Sequence, residues 1–161
     1  MTQQEYENKI KELQDELEKL KAAKIADSGK RWKPQRDETF WYFGYDGTVY
    51  NSDFGSDYEW LYLTGNCFKT QVEAEEHKKQ IEYTARYKNY IEEHSEPIDW
   101  ESIDQYKYYA EIECGLNRIY VNRFENWKIQ GTIYASDEQI IWDAIKEIGE
   151  DNFKKYVLGV K

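Results

Sequence analysis

The stretch GTIYASDEQIIWDAIKEIG, residues 131–149, decides the fold of this chain. Its first half is typical of a strand and a turn, and its second half places apolar residues on one helix face: Ile140, Ile141, Ala144, Ile145 and Ile148. Ser136, followed three residues later by Gln139, predicts a capping box at the start of that helix. Gly149 is predicted to end it as the C-cap.

An earlier stretch, GNCFKTQVEAEE at residues 65–76, repeats the same order of residue types. Thr70 and Glu73 form a second predicted capping box, and the helix that follows is predicted to run to about Glu93, short of Pro97. The two glycines that open these stretches, Gly65 and Gly131, lie 66 positions apart (131 minus 65). The repetition therefore predicts two tandem units, each with a helix that follows a strand.

Strand-like segments precede both helices. In FWYFGYDGTVYN, residues 40–51, the Asp46-Gly47 pair between aromatic and β-branched residues predicts a hairpin. Further predicted strands span 60–68, 106–113, 118–121 and 127–134, and a last short helix spans 153–158. A hairpin with one helix buries its apolar face poorly alone. The sequence therefore predicts an α+β fold in which two tandem ββ(β)α units, 40–94 and 99–161, pack as one core within a domain at 40–161.

The N-terminal segment carries a heptad pattern of apolar residues, which predicts an amphipathic, coiled-coil-like helix over residues 1–26. Such a short helix is marginal alone, so it packs either on a second copy or on its own domain. If it dimerises, its contacts are Tyr6, Ile10, Leu13, Leu17 and Leu20. Residues 27–39 are polar, contain glycine and proline, and are predicted to be a linker.

Charge and aromatic residues give the main indication of function. The net charge is -10, which argues against direct nucleic-acid binding and favours a basic partner. Residues 37–68 contain six acidic and no basic residues, as do residues 92–104. Either these segments are solvated loops, or they bind a positively charged protein. The predicted contact residues are Asp46, Asp53, Asp57, Glu59, Tyr45, Tyr50, Tyr58, Trp60, Glu96, Asp99 and Glu101.

Catalytic and metal-binding signatures are missing from the sequence. Cys67 and Cys114 lack ligand-spaced partners and are expected to be buried apolar residues, while His77 and His94 are expected at the surface. Phosphate-loop, dinucleotide and nucleophile-elbow motifs are absent. We therefore expect a protein that is not an enzyme and uses no cofactor or metal. Because the sequence shows neither a membrane-spanning apolar run nor a signal peptide, we expect a cytoplasmic location.

Nearly the whole chain resembles a group of small, uncharacterised proteins of phages and prophages of low-GC Gram-positive bacteria. The resemblance rests on Trp32-Lys33-Pro34, Gly65-Asn66 with Phe68 and Thr70, and the tail 145–158. The resemblance implies a phage context within a host cell. Small acidic phage proteins of this group are similar in character to anti-defence inhibitors of the anti-CRISPR kind. We therefore expect a protein that binds and inhibits a basic, nucleic-acid-handling defence effector of the host.

Two alternatives to this function stay open. The chain could sequester a small nucleotide signal in an aromatic pocket between the two units, with Arg118 or Arg123 holding the phosphate. It could also be a virion or assembly protein that uses its N-terminal helix.

Overall fold

The computed structural model describes residue 9 and residues 31–113, 115–125 and 127–160. Apart from Lys9, the predicted N-terminal helix lies outside the described residues, and so do its dimerisation positions Tyr6, Ile10, Leu13, Leu17 and Leu20. Cys114 also lies outside them.

Within the described residues the chain has an α+β fold, as predicted. Two two-stranded sheets form from consecutive strands, β1 (Thr39–Phe43) with β2 (Val49–Asp53), and β3 (Lys107–Glu113) with β4 (Arg118–Phe124). The helices are α1 (Glu59–Thr64), α2 (Gln71–His94), α3 (Glu138–Ile148) and α4 (Glu150–Asn152). A 3₁₀ turn, Ser56–Tyr58, precedes α1, and a π-helical turn, Phe153–Val157, follows α4.

The hairpin at Asp46-Gly47 is confirmed. Gly47 has φ 75°, a left-handed conformation that a β-carbon would disfavour. The Asp46 carboxylate accepts a hydrogen bond from the Thr48 backbone N–H at 3.0 Å, as aspartate commonly does in turns. The sequence pattern thus identified the turn through the two residues that stabilise it.

Both predicted third strands are wrong. Residues 59–64 form helix α1, which ends where Gly65 takes φ 93°, and only Phe68 pairs with a strand, at Trp41. Residues 127–134 are not in a strand, and only the next residue, Ala135, pairs, at Tyr108. A short apolar run does not distinguish a strand from a helix by its pattern, which explains the error at α1.

The predicted helix boundaries hold, with one correction at a cap. Helix α2 begins directly after Thr70, and α3 ends at Gly149, whose N–H donates to the Ile145 carbonyl at 2.9 Å. The N-cap of α3, however, is Asp137, whose Oδ1 accepts from the Gln139 backbone N–H at 2.7 Å. The predicted cap, Ser136, is used elsewhere, because its Oγ accepts from the Glu96 backbone N–H at 3.0 Å.

The described chain divides into two compact units. The first comprises residues 31–42 and Val49–Gln71, and its buried cluster is Phe40, Phe54, Leu61 and Cys67. Trp32 packs against that cluster and Pro34 is buried, so this part of the predicted linker 27–39 contributes to a core. Burial of Cys67 agrees with its expected apolar role, and it also raises the pKa of the thiol.

The second unit comprises Phe43–Thr48 and the described residues from Val72 onward. Its core is built around the predicted stripe of α3, in which Ile141, Ala144, Ile145 and Ile148 are buried. Tyr87 and Ile91 of α2 belong to the same core, so α2 packs with the second unit and not within a 40–94 repeat. Most buried apolar residues of the described chain thus fall into two clusters, where the sequence predicted one core.

Helix α2 is also held near its start within the second unit. The Glu76 carboxylate pairs with Lys155 Nζ at 2.6 Å and accepts from the Tyr156 hydroxyl at 3.2 Å. The hydrogen bond from Lys155, with smaller contributions from Lys79 and Tyr156, lowers the pKa of Glu76. The Tyr83 and Tyr156 rings stack with their centroids 5.0 Å apart. These contacts fix α2 against the C-terminal turn.

The corrected cap gives a test of the fold. Replacing Asp137 by alanine should lower the free energy of unfolding by about 1 kcal/mol, because it leaves a helix N-terminal amide without its acceptor. Asp137→Asn, which keeps an acceptor oxygen, should lose clearly less. Urea denaturation measures both. An unchanged Asp137→Ala midpoint would show that α3 does not depend on this cap.

Candidate functional site

Two of the predicted contact residues form the tip of the first hairpin. Tyr45 is fully exposed, and the Asp46 side chain beside it is exposed as well. Because the Asp46 carboxylate is held by the Thr48 backbone N–H, its negative charge has a fixed position. We call Tyr45 and Asp46 the tip surface.

A second group lies where the 3₁₀ turn leads into helix α1, in the first unit. Trp60 is 59% exposed, and Asp57 and Glu59 are exposed beside it in sequence. Glu59 pairs with Lys33 at 3.3 Å, but both side chains are about half exposed, so this ion pair adds little stability. We call Asp57, Glu59 and Trp60 the α1 surface.

The other residues predicted in the first acidic segment are held within the first unit. Tyr58 is only partly exposed and packs against the core, with its ring 5.5 Å from that of Phe40. Tyr50 is 42% exposed and lies 5.8 Å from the Tyr42 ring. Asp53 is exposed and accepts a hydrogen bond from the Thr39 hydroxyl at 2.9 Å. Of the predicted aromatic contacts, Tyr45 and Trp60 thus offer the most surface.

Glu96, Asp99 and Glu101 lie in the loop between α2 and β3, in the second unit. The Asp99 carboxylate accepts from the backbone N–H groups of Glu101 and Ser102, at 2.9 and 3.3 Å, and so shapes the loop. Glu96 and Glu101 are exposed. The structure therefore divides the predicted contacts between the two units and does not gather them into one cleft of either unit.

The sequence indicated Arg123 for an aromatic pocket between the units, but it did not predict an aromatic cluster that lies within the second unit. Four ring contacts connect it in series, with centroid distances of 5.1 Å for Trp100–Tyr134, 5.4 Å for Tyr134–Tyr109, 5.2 Å for Tyr109–Phe124 and 6.5 Å for Phe124–Trp127. Two cations lie over rings of this region, Arg123 over Tyr106 at 4.2 Å and Lys128 over Trp100 at 4.8 Å. The aromatic and basic residues close together at 123–128 could have indicated the cluster. They were not interpreted in that way, because residues 127–134 were predicted to be a strand.

A concave site of about 360 Å³ opens at the end of β4 within this unit. It is lined by Tyr106, Arg123, Phe124, Glu125 and Trp127. A hydrogen bond with Tyr108 is the largest cause of a raised pKa at Arg123. Trp127 is 69% exposed at the edge of the site.

Lys107 lies behind this site and is fully buried. Its Nζ donates to the carbonyl oxygens of Ser102, at 2.5 Å, and Glu125, at 2.6 Å. One side chain thus ties the loop before β3 to the end of β4. A buried cation is costly unless it is hydrogen-bonded, so these carbonyls are needed to keep it there.

Within the described ranges no helix is long and apolar enough to cross a membrane, and no three His, Cys, Asp or Glu side chains form a metal site. No protein family, curated protein or solved structure matches this chain. The function must therefore be argued from the surfaces themselves.

The role of Lys107 can be tested by substitution. Lys107→Met should lower the free energy of unfolding by about 1–3 kcal/mol, because it removes the donor of two buried hydrogen bonds. Lys128→Met, which removes an exposed cation from the same unit, is the control and should change it by less than about 0.5 kcal/mol. Equal losses of unfolding free energy for both variants in urea denaturation would contradict the stabilising role that we assign to the Lys107 hydrogen bonds.

Proposed function

We propose that this chain is a non-enzymatic, phage-encoded protein that binds and blocks a basic, nucleic-acid-handling defence protein of the host. The observation that carries the proposal is the exposure of Tyr45 and Trp60, each directly beside a carboxylate. The tip surface and the α1 surface are its proposed contacts. The expected cytoplasmic location is part of the same proposal.

The aromatic residues would supply most of the binding energy. Buried Trp and Tyr anchors commonly dominate protein interfaces, because they remove a large apolar area from water. Other aromatic residues of this chain stabilise the core instead. Tyr58 is an example, since its ring packs against Phe40. Tyr45 and Trp60 have no comparable burial. A partner that covers them would gain contact area while breaking little of the packing inside either unit.

The carboxylates would supply orientation and speed. Acidic groups attract a basic partner over several ångströms and raise the association rate, an effect that salt weakens. Asp46 and Asp53 are held by Thr48 and Thr39, so their charges are already positioned before binding. A nucleic-acid-binding protein offers a complementary surface, because it neutralises phosphates with lysine and arginine.

The phage and anti-defence context rests on the resemblance of residues 31–43, 65–76, 105–113 and 133–160 to phage and prophage proteins. A homodimer through the N-terminal helix belongs to the same proposal. If the partner proved to be a virion component, the interaction surfaces would stand but the anti-defence role would fall.

The proposal is tested by removing charge without removing hydrogen-bond acceptors. The variant D46N/D53N/D57N/E59Q keeps an acceptor oxygen at each position, so the Thr48 and Thr39 contacts can persist. Its association with the partner, first isolated from host cells by affinity pull-down with the unchanged chain, should slow by about ten-fold or more at low salt. Trp60→Ala in the unchanged background should instead speed dissociation. Kinetic binding measurements separate the two effects.

The matched control is E113Q/D143N/E147Q/D151N, which removes four exposed carboxylates from the second unit. It has the same net charge as the test variant and should associate at close to the rate of the unchanged chain. If both quadruple variants slow association equally, only net charge matters and the assignment of surfaces fails. If neither variant slows association, these carboxylates are solvated surface groups that do not contribute to binding.

A further inference from the structure

The concave site at the end of β4 has the chemistry of a small-ligand pocket. Three of its five lining residues are aromatic, and the other two are Arg123 and Glu125. Its volume of about 360 Å³ falls in the range of pockets that hold small molecules. Apolar walls with a few polar groups at fixed positions are typical of such sites.

The aromatic walls suit a flat ring. Trp127 is 69% exposed, and its ring lies nearly parallel to that of Phe124, with an interplanar angle of 28° and centroids 6.5 Å apart. The Phe124 ring in turn stacks on buried Tyr109, at 5.2 Å. Nucleobases stack on such indole faces whatever their identity, because every base presents a π-face.

The polar groups suit a phosphate and a sugar. The Arg123 guanidinium lies over the Tyr106 ring, with Cζ 4.2 Å from the ring centroid, and it also interacts with Tyr108, so two aromatic side chains hold it in place. A guanidinium is the preferred side chain for paired hydrogen bonds to a phosphate. The Glu125 carboxylate, on the same pocket wall, can accept hydrogen bonds from ribose hydroxyls, as acidic residues do in dinucleotide sites.

The site is also organised before any ligand binds. Lys107 holds the Glu125 carbonyl from behind, at 2.6 Å, and ties it to Ser102. A fully buried lysine that binds two main-chain carbonyls limits the motion of the segment that follows β4. Binding to an already ordered site loses less conformational entropy.

We propose that this pocket binds a nucleoside monophosphate, with the base stacked on Trp127, the phosphate on Arg123 and the ribose hydroxyls on Glu125. The proposal goes beyond the protein-binding function and does not depend on it. A single nucleotide fits better than a nucleic-acid strand, since the pocket contains one arginine and the chain has a net charge of -10. A polyanion would be repelled by the rest of the molecule.

The test titrates the full chain with AMP, GMP, CMP and UMP, and follows tryptophan fluorescence together with ¹⁵N-detected indole and amide shifts. At least one nucleotide should bind saturably and shift the Trp127 indole and the Arg123 and Glu125 amides. The matching nucleoside, which lacks the phosphate, should bind about ten-fold more weakly or worse, since it loses the paired contact with Arg123. Inorganic phosphate should shift Arg123 without shifting the Trp127 indole.

Two variants and two controls locate the site. Arg123→Gln and Trp127→Leu should each weaken binding by about ten-fold or more. Two control substitutions should leave the nucleotide affinity unchanged. Arg118→Gln changes an exposed arginine at the other end of β4, and Trp60→Leu changes an exposed tryptophan in the first unit. Arg123 and Trp127 are both exposed, so neither substitution should disturb the core, and urea denaturation checks this.

The proposal is overturned if none of the four nucleotides binds saturably, or if the shifts of the unchanged chain lie away from residues 106 and 123–127. Tighter binding of a ten-nucleotide single strand than of the monophosphates would also overturn it, in favour of a nucleic-acid groove. Failure here leaves the protein-binding proposal intact, because Arg123→Gln is not expected to alter association with a basic partner.

Discussion

Two backbone hydrogen bonds between Tyr108 and Ala135 determine how the second unit is assembled. Each is 2.9 Å long, and together they join strand β3 to the residue three positions before α3 begins. Ala135 is fully buried, so a larger side chain would not fit there without rearrangement. The bridge sets where α3 starts, and its stripe from Ile141 to Ile148 then packs into the core. The first unit uses the same device, since Trp41 pairs with Phe68 three positions before α2.

Local chemistry explains which parts of the fold could be predicted. The hairpin at Asp46-Gly47, the end of α3 at Gly149 and the start of α2 after Thr70 each depend on one or two residues with strong conformational preferences. The third strands could not be predicted, because a one-residue bridge leaves no alternating pattern and Trp60 to Thr64 suits a helix as well as a strand. Ser136 and Asp137 are both good N-caps, and the contacts of the Ser136 hydroxyl with Ser95 and Glu96 decide between them.

The candidate site was predictable only in part. The sequence indicated where acidic and aromatic residues alternate, and the structure exposes Tyr45 and Trp60 among them. It could not indicate that Tyr58 packs inward, because that depends on the distant residue Phe40. For the pocket at the end of β4, the sequence indicated Arg123 but not Trp127. The rings and the cation come together only when β3 and β4 pair and Lys107 holds the Glu125 carbonyl.

The central claim is that Tyr45 and Trp60 contact a basic nucleic-acid-binding protein. Site-specific photocrosslinking tests it most directly, with a photoreactive amino acid placed at position 45, at position 60, or at the exposed control Leu116. The account predicts that positions 45 and 60, but not 116, crosslink in host cells to the same basic protein, and that added nucleic acid competes with this product. Identical products at all three positions, or a product at 45 and 60 that nucleic acid does not reduce, would contradict it.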